Sequence, residues 1–376
     1  MPLVVLAVVS IVQSSEYHLT SDQAILGIHT NDVGRRAVLF GPYSRLGWHH
    51  PGPALFYVLA LPYRLFGADG TALQLGALIV NGAALVGVAV VARRRAGVRF
   101  ALLTLLCAVI LMHALGPALL RDVWNPSITV VPYLLVVLLA WAIADGDRWA
   151  IPWAVGVASF VVQTHIGYAL VTVTPVVIGA FALVWRTARV DGTLRALRSL
   201  APVGLVTLVT ALVLWSAPLV EQLSGDPGNL GLVLQYTRAG NDARASFGVA
   251  GHAVARVLGA GVPWLTGDTA RSPYTGELVL VGRVPVPLGA LALLGGGVLA
   301  WRRGDRTSLR LVAIVGATLV ASVLSVAGIR GVLYVYLVHW LWVLGALCWL
   351  AAIWAVARAL PQPPRTVLRR LALPAS

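Results

Sequence analysis

The sequence predicts an all-α integral membrane protein, a single polytopic domain over residues 1–376 built as a bundle of about ten transmembrane helices. Two observations carry this. Of the 376 residues, 59% are hydrophobic and only 11% charged, more apolar surface than an aqueous globule can hide. Apolar runs also recur along the full length, and no soluble-like block exceeds the stretch from Glu221 to Arg283. A large appended soluble domain is therefore excluded.

Charge sets the orientation. The net charge is +14 and all 28 basic residues are arginine. In a soluble protein this balance would suggest nucleic acid. Here most arginines occupy short loops between apolar runs, which reads as positive-inside topology, with a lipid bilayer and no nucleic acid as the partner. The clusters are Arg93, Arg94, Arg95 and Arg99; Arg186, Arg189, Arg195 and Arg198; Arg302, Arg303, Arg306 and Arg310; and Arg358, Arg365, Arg369 and Arg370. All four are expected on the cytoplasmic face, the last in a tail over about 358–376. Cys107 and Cys348 lie far apart inside apolar runs, so neither a disulfide framework nor a thiolate metal site is expected.

The elements follow in order. Met1 to Val12 is apolar but short for a span and lacks a basic flank; either the span continues to about Ser15 or the true start lies upstream. Both readings put the next segment, an outer loop over about 16–69, outside. Within it, Gly52 to Phe66 is apolar but does not span. If it did, Arg93 to Arg95 and every later cluster would fall on the wrong face. Pro51, Pro53 and Pro62 also interrupt its backbone hydrogen bonding. Arg64 at mid-membrane would cost about 2.5–3.5 kcal/mol. It is expected to be an interfacial helix, as is the shorter run Gln23 to Ile28. Spans are then expected over about Thr71 to Ala92, Phe100 to Leu115, Ile128 to Ala144, Trp149 to Gln163 and Tyr168 to Trp185. Four more follow over Ser199 to Leu219, Pro285 to Trp301, Leu309 to Ala327 and Val332 to Val356. A second long outer loop covers about 220–284, and Ala243 to Leu258 within it is mildly amphipathic. The run Leu294 to Gly297, LGGG, suggests close helix packing.

Polar chemistry concentrates in the outer loops. Asp22, in TSDQA, and Asp32, in TNDVG, follow the first span. A carboxylate held at a membrane surface suits removal of a proton from an attacking hydroxyl; the alternative for Asp22 is a helix N-cap. In LLRDVWNPSI, Asp122 and Asn125 are either site residues or capping groups ahead of Pro126. Gln163, Thr164 and His165, in FVVQTHIGYAL, sit between two apolar runs that barely suffice for two spans, so they bond either a ligand or each other in a helix-joining turn. His49 and His50 raise a divalent-metal reading, but adjacent histidines diverge and no HExxH spacing occurs. The other reading is hydrogen bonding to phosphate or to the interfacial helix. Outer arginines depart from the positive-inside pattern. Arg45 and Arg330 are placed either to hold a lipid phosphate or to make ordinary headgroup contacts.

An acidic residue just after the first helix, an interfacial helix, and about thirty residues later a His-Pro opening a second interfacial helix that ends in LFG together resemble the GT-C membrane glycosyltransferases. The similarity is to the protein O-mannosyltransferase and aminoarabinose transferase families, in a bacterial branch with SDQA, GPYSRLGWHHPGPALFY, WNP and QTHIGY. It covers the chain to about Val171 and thins to APLVEQLSGDPGN, Ala217 to Asn229. The resemblance implies inverting transfer of a sugar from a polyprenyl-phosphate carrier to a glycan, lipid or protein hydroxyl on the outer face of the bacterial inner membrane, as in cell-envelope biogenesis. It makes Asp22 the base and Asp122 a shifted equivalent of a second acidic residue; with Asp32, Arg45, His49, His50, Asn125, Gln163, His165 and Arg330, read from their own positions, Asp122 completes the expected substrate-binding set. No cofactor is expected. Many relatives carry an acidic pair where this chain has Asp22 and Gln23, which puts a metal-binding role in doubt and allows a catalytically idle binding subunit. A transporter or flippase of lipid-linked sugars is a further alternative; the span interiors, nearly free of ionisable residues, speak against it.

Overall fold

The computed structural model describes residues 2–12, 19–239, 243–267, 271–272 and 276–360. The predicted start of the first outer loop near Glu16 lies outside these residues, as do Arg365, Arg369 and Arg370 of the tail. The described residues form helices and no named strand. In chain order they are α1 (Pro2–Val12), α2 (Ser21–Asp32), α3 (Ala54–Leu65), α4 (Gly70–Leu115), α5 (Asn125–Ile128), α6 (Val130–Ala144), α7 (Ala150–Thr164) and α8 (Ala169–Asp191). Then come α9 (Thr193–Ser224), α10 (Asn229–Ala239), α11 (Phe247–Val257), α12 (Pro263–Thr266), α13 (Leu288–Arg302), α14 (Arg306–Ala327) and α15 (Trp340–Ala359).

Six helical segments among the described residues are long and apolar enough to cross a membrane: α4, α5 with α6, α8 with the short turn before it, α9, α14 and α15. The protein is thus a helical multi-pass membrane protein. Helices α3, α7 and α13 are apolar but shorter. The two runs expected to be interfacial form helices, α2 and α3. Arg64 of α3 donates to the carbonyl of Val33, so its charge is held at the loop carrying α2.

Helix α4 runs through both stretches expected to span on either side of the first arginine cluster. A straight 46-residue helix would be about 69 Å long, over twice a hydrocarbon core of about 30 Å. Gly97 interrupts it with φ 85° and ψ −179°, a conformation essentially reserved for glycine. The chain turns there, among Arg93, Arg94, Arg95 and Arg99.

At the centre stands α6, all of whose residues are buried, as expected of a helix apolar on every side. It packs on α4, α7, α8 and α14. Close approach depends on glycine: a Cβ on Gly179 of α8 would lie 2.5 Å from the Ala140 carbonyl of α6, and one on Gly296 of α13 would lie 2.9 Å from Ala352 of α15. Gly296 belongs to the LGGG run, which makes the close helix contact its composition suggests.

Described members of the four arginine clusters, only Arg358 in the last, meet at one end of the bundle. Arg95 pairs with Asp147 at 3.4 Å, Arg186 donates to the Asp145 carbonyl, Arg310 pairs with the Asp145 carboxylate and Arg358 pairs with Asp305 at 3.1 Å. Thr307 also donates to Asp145, and the Trp141 indole to the Thr307 carbonyl. Helices α4, α6, α8, α14 and α15 are therefore tied together at this end, as a common face for the clusters requires.

Candidate functional site

At the other end, the first loop, the α4–α6 connection, the α7–α8 turn and the segment before α15 converge. Asp22 is the second residue of α2. The cap position belongs to Thr20, which makes no side-chain cap bond. The Asp22 carboxylate instead accepts a hydrogen bond from the Trp124 indole Nε1–H at 3.0 Å, across 102 residues of chain. Asp122 serves the same junction: its Oδ1 accepts the backbone N–H of Trp124 at 3.0 Å, the short loop an Asp side chain favours, and the Gln23 side-chain amide at 3.2 Å. Gln23 thus ties Asp22's helix to Asp122.

Asp22 and Trp124 border a cavity of about 380 Å³. Of the residues singled out from sequence, Asp22, Arg45, His50, Asn125, His165 and Arg330 line it. Arg45 lies 4.5 Å over the ring of Tyr334, a cation–π contact that fixes the guanidinium. Arg330, just after α14, donates to the Thr237 carbonyl at 2.7 Å. Asn125 donates weakly to the Thr164 carbonyl at 3.4 Å.

His50 and His165 stack with ring centroids 4.7 Å apart, and His50 Nδ1 accepts the backbone N–H of Ile166 at 3.1 Å. Burial, with smaller contributions from His165 and His49, lowers the His50 pKa well below 6.5. Burial likewise lowers that of His165, in the turn between α7 and α8, to about 4. Both rings are neutral near pH 7. With them neutral, the lining carries Arg45 and Arg330 against Asp22, a net charge of +1, which favours an anionic ligand.

The remaining candidates lie off the cavity. Asp32 is at the end of α2, 3.9 Å from the exposed Arg36. His49 diverges from His50, as adjacent residues in extended chain do: its ring lies against Phe40 and Tyr43, whereas His50 meets Trp48 and His165. Among the described residues, no group of three or more His, Cys, Asp or Glu side chains could hold a metal ion. Gln163 is buried; its amide donates to the Leu214 carbonyl of α9 at 2.7 Å. Its side-chain oxygen would be 2.3 Å from a Cβ on Gly52, so glycine is required where the loop crosses α7. Asp122 sits behind Trp124.

Two groups of site residues were missed from sequence. The first is aromatic: Tyr43, Trp48, Trp124, Tyr236 and Tyr336 line the cavity, and Trp124 and Tyr336 pack with centroids 5.0 Å apart. The WNP motif contained one of them, but aromatic residues are too frequent in a membrane chain to single out by type. The second is a brace. Glu221 in the last turn of α9 accepts the backbone N–H of Asn229 at 2.9 Å, and Asn229 exchanges two 2.8 Å bonds with the backbone of His49. These residues stand in APLVEQLSGDPGN, and only the fold brings that run to HHPGP.

Comparison of the chain with protein families, with curated proteins and with solved structures gives no match.

Proposed function

We propose that the chain is an inverting membrane glycosyltransferase that uses a polyprenyl-phosphate sugar and acts at the end of the bundle opposite the arginine clusters, on the extracytoplasmic side of a bacterial inner membrane. The observation that carries this reading is one cavity holding a carboxylate fixed by an indole N–H, two arginines and a band of aromatic rings. Each part answers to one component of the reaction. Asp22 removes the proton of the acceptor hydroxyl. The freed oxygen attacks the anomeric carbon, and the bond from that carbon to the phosphate oxygen breaks with inversion. The lipid phosphate leaves, its charge met by Arg45 and Arg330. Aromatic faces suit the apolar faces of sugar rings, and Trp124 and Tyr336 offer two beside Asp22. A count of ten spans with both termini cytoplasmic belongs to the same reading, and places the cavity outside.

The test is transfer by purified protein supplied with polyprenyl-phosphate sugars and a membrane glycan acceptor. Asp22→Asn is expected to lower turnover at least about 100-fold, the usual worth of a general base, with unchanged expression and melting. Undiminished transfer by the variant removes Asp22 from this role. Wild-type protein that binds the donor but never transfers would instead be a binding subunit, the reading that Gln23 beside Asp22 permits.

A further inference from the structure

At the arginine-rich end, a second cavity of about 330 Å³ opens between α4, α6 and α7. Its α4 wall is one stripe of the helix, Gly87 through Val90 and Val91 to Arg94 and Arg95, positions that fall on one face at helical spacing. Leu135 and Leu139 of α6 form the floor. The lining is apolar over most of its length and ends in charge: Arg94 is exposed, while Arg95 faces Asp147 at 3.4 Å. Two arginines against one aspartate leave a net charge of +1 at the mouth. Beside it stand Trp149 and Trp153, 49% and 71% exposed, where indole rings meet the headgroup layer.

We infer that this groove binds one acyl chain of an anionic membrane phospholipid, with the lipid phosphate at Arg94 and the mouth of the Arg95–Asp147 pair. Its lining is apolar as far as the two arginines and its mouth is flanked by exposed indoles, the order in which a phospholipid presents an acyl chain and then a charged headgroup. Charge separates an anionic lipid from a neutral one, because Asp147 already faces Arg95 and leaves Arg94 to the headgroup. The groove lies at the opposite end from Asp22, so the inference does not rest on the glycosyltransferase reading.

Native mass spectrometry of the purified full chain, in detergent with equal amounts of dioleoyl phosphatidylglycerol and dioleoyl phosphatidylcholine, tests it. The wild type is expected to retain one phosphatidylglycerol with about fivefold preference, the effect of one arginine beside an anionic headgroup. Arg94→Gln should reduce that preference to near parity. Val90→Phe, which fills the groove from an exposed position, should abolish retention without changing the melting temperature in phosphatidylcholine micelles. Equal retention of both lipids by the wild type overturns the inference, and so does undiminished phosphatidylglycerol on Val90→Phe. A dimer of the wild type that Val90→Phe dissociates would also overturn it, by assigning the groove to a second copy of the chain.

Discussion

Asp22 is exposed, yet its carboxylate is not free to rotate at will: the Trp124 indole fixes one oxygen, and Trp124 is itself seated by Asp122. Trp124→Phe keeps an aromatic ring against Tyr336 and removes the N–H together with the five-membered part of the indole. It should lower transfer about tenfold, the loss of a hydrogen bond to a charged group worth roughly 1.5 kcal/mol, with melting unchanged. An equal turnover would show that the indole only packs. The stacked histidines have a different signature. His165 stays neutral in the folded protein down to about pH 4 and His50 well below 6.5. The unfolded chain therefore takes up protons first as pH falls below about 6.5, and stability falls with pH through that window. Melting of purified protein should drop between pH 7.5 and about pH 5 by the equivalent of roughly 1–2 kcal/mol for one such histidine. The drop should shrink in His165→Gln. A pH-independent melt of the wild type would mean that the pair is solvated.

Among the elements, α4 shows what a single backbone angle decides. Gly97 has open space where a side chain would project, so the cost of filling it is conformational and not a clash. Gly97→Ala is expected to destabilise the protein by about 1–3 kcal/mol. Gly204→Ala, in helix α9 with equally open surroundings, should be neutral or slightly stabilising because alanine favours helix. Thermal melts of the two variants side by side check this, and equal melting temperatures would remove the special status of the turn. The break was legible from Arg93 to Arg99, because a charged stretch cannot lie in hydrocarbon. The start of α3 was legible to within two residues from Pro51 and Pro53: it was expected at Gly52 and lies at Ala54, after the second proline. By contrast, the Ile128 to Ala144 run gave no sign that it would be the buried axis of the bundle. Several spans are just as apolar, and the choice among them is made by packing.

For the molecule as a whole, the gathering of the described arginines of these clusters at one end was readable before any coordinates, since insertion sorts charge by side. Most of the cavity's charged and imidazole groups were readable too, because a polar residue in so apolar a chain stands out. What sequence did not reveal was pairing at a distance, such as Trp124 with Asp22 across 102 residues or Asn229 with His49 across 180. Residue type carries no record of those partners. Sidedness has a direct check. Cys107 and Cys348 are buried, so a cysteine at the exposed Gly67, in the turn between α3 and α4, is the only reactive thiol expected among the described residues. It should be modified by an impermeant reagent from outside spheroplasts. Modification only from the cytoplasmic side would invert the map and, with it, the side on which transfer occurs.

Helix α9 stands apart from the rest of the bundle. It is about 48 Å long at 32 residues, against a hydrocarbon core of about 30 Å, and its most apolar window is only 11% buried by protein. Beyond its last turn Asn229, held by Glu221, bonds the backbone of His49. The loop that carries the stacked histidine is thus moored to the candidate span that protein encloses least.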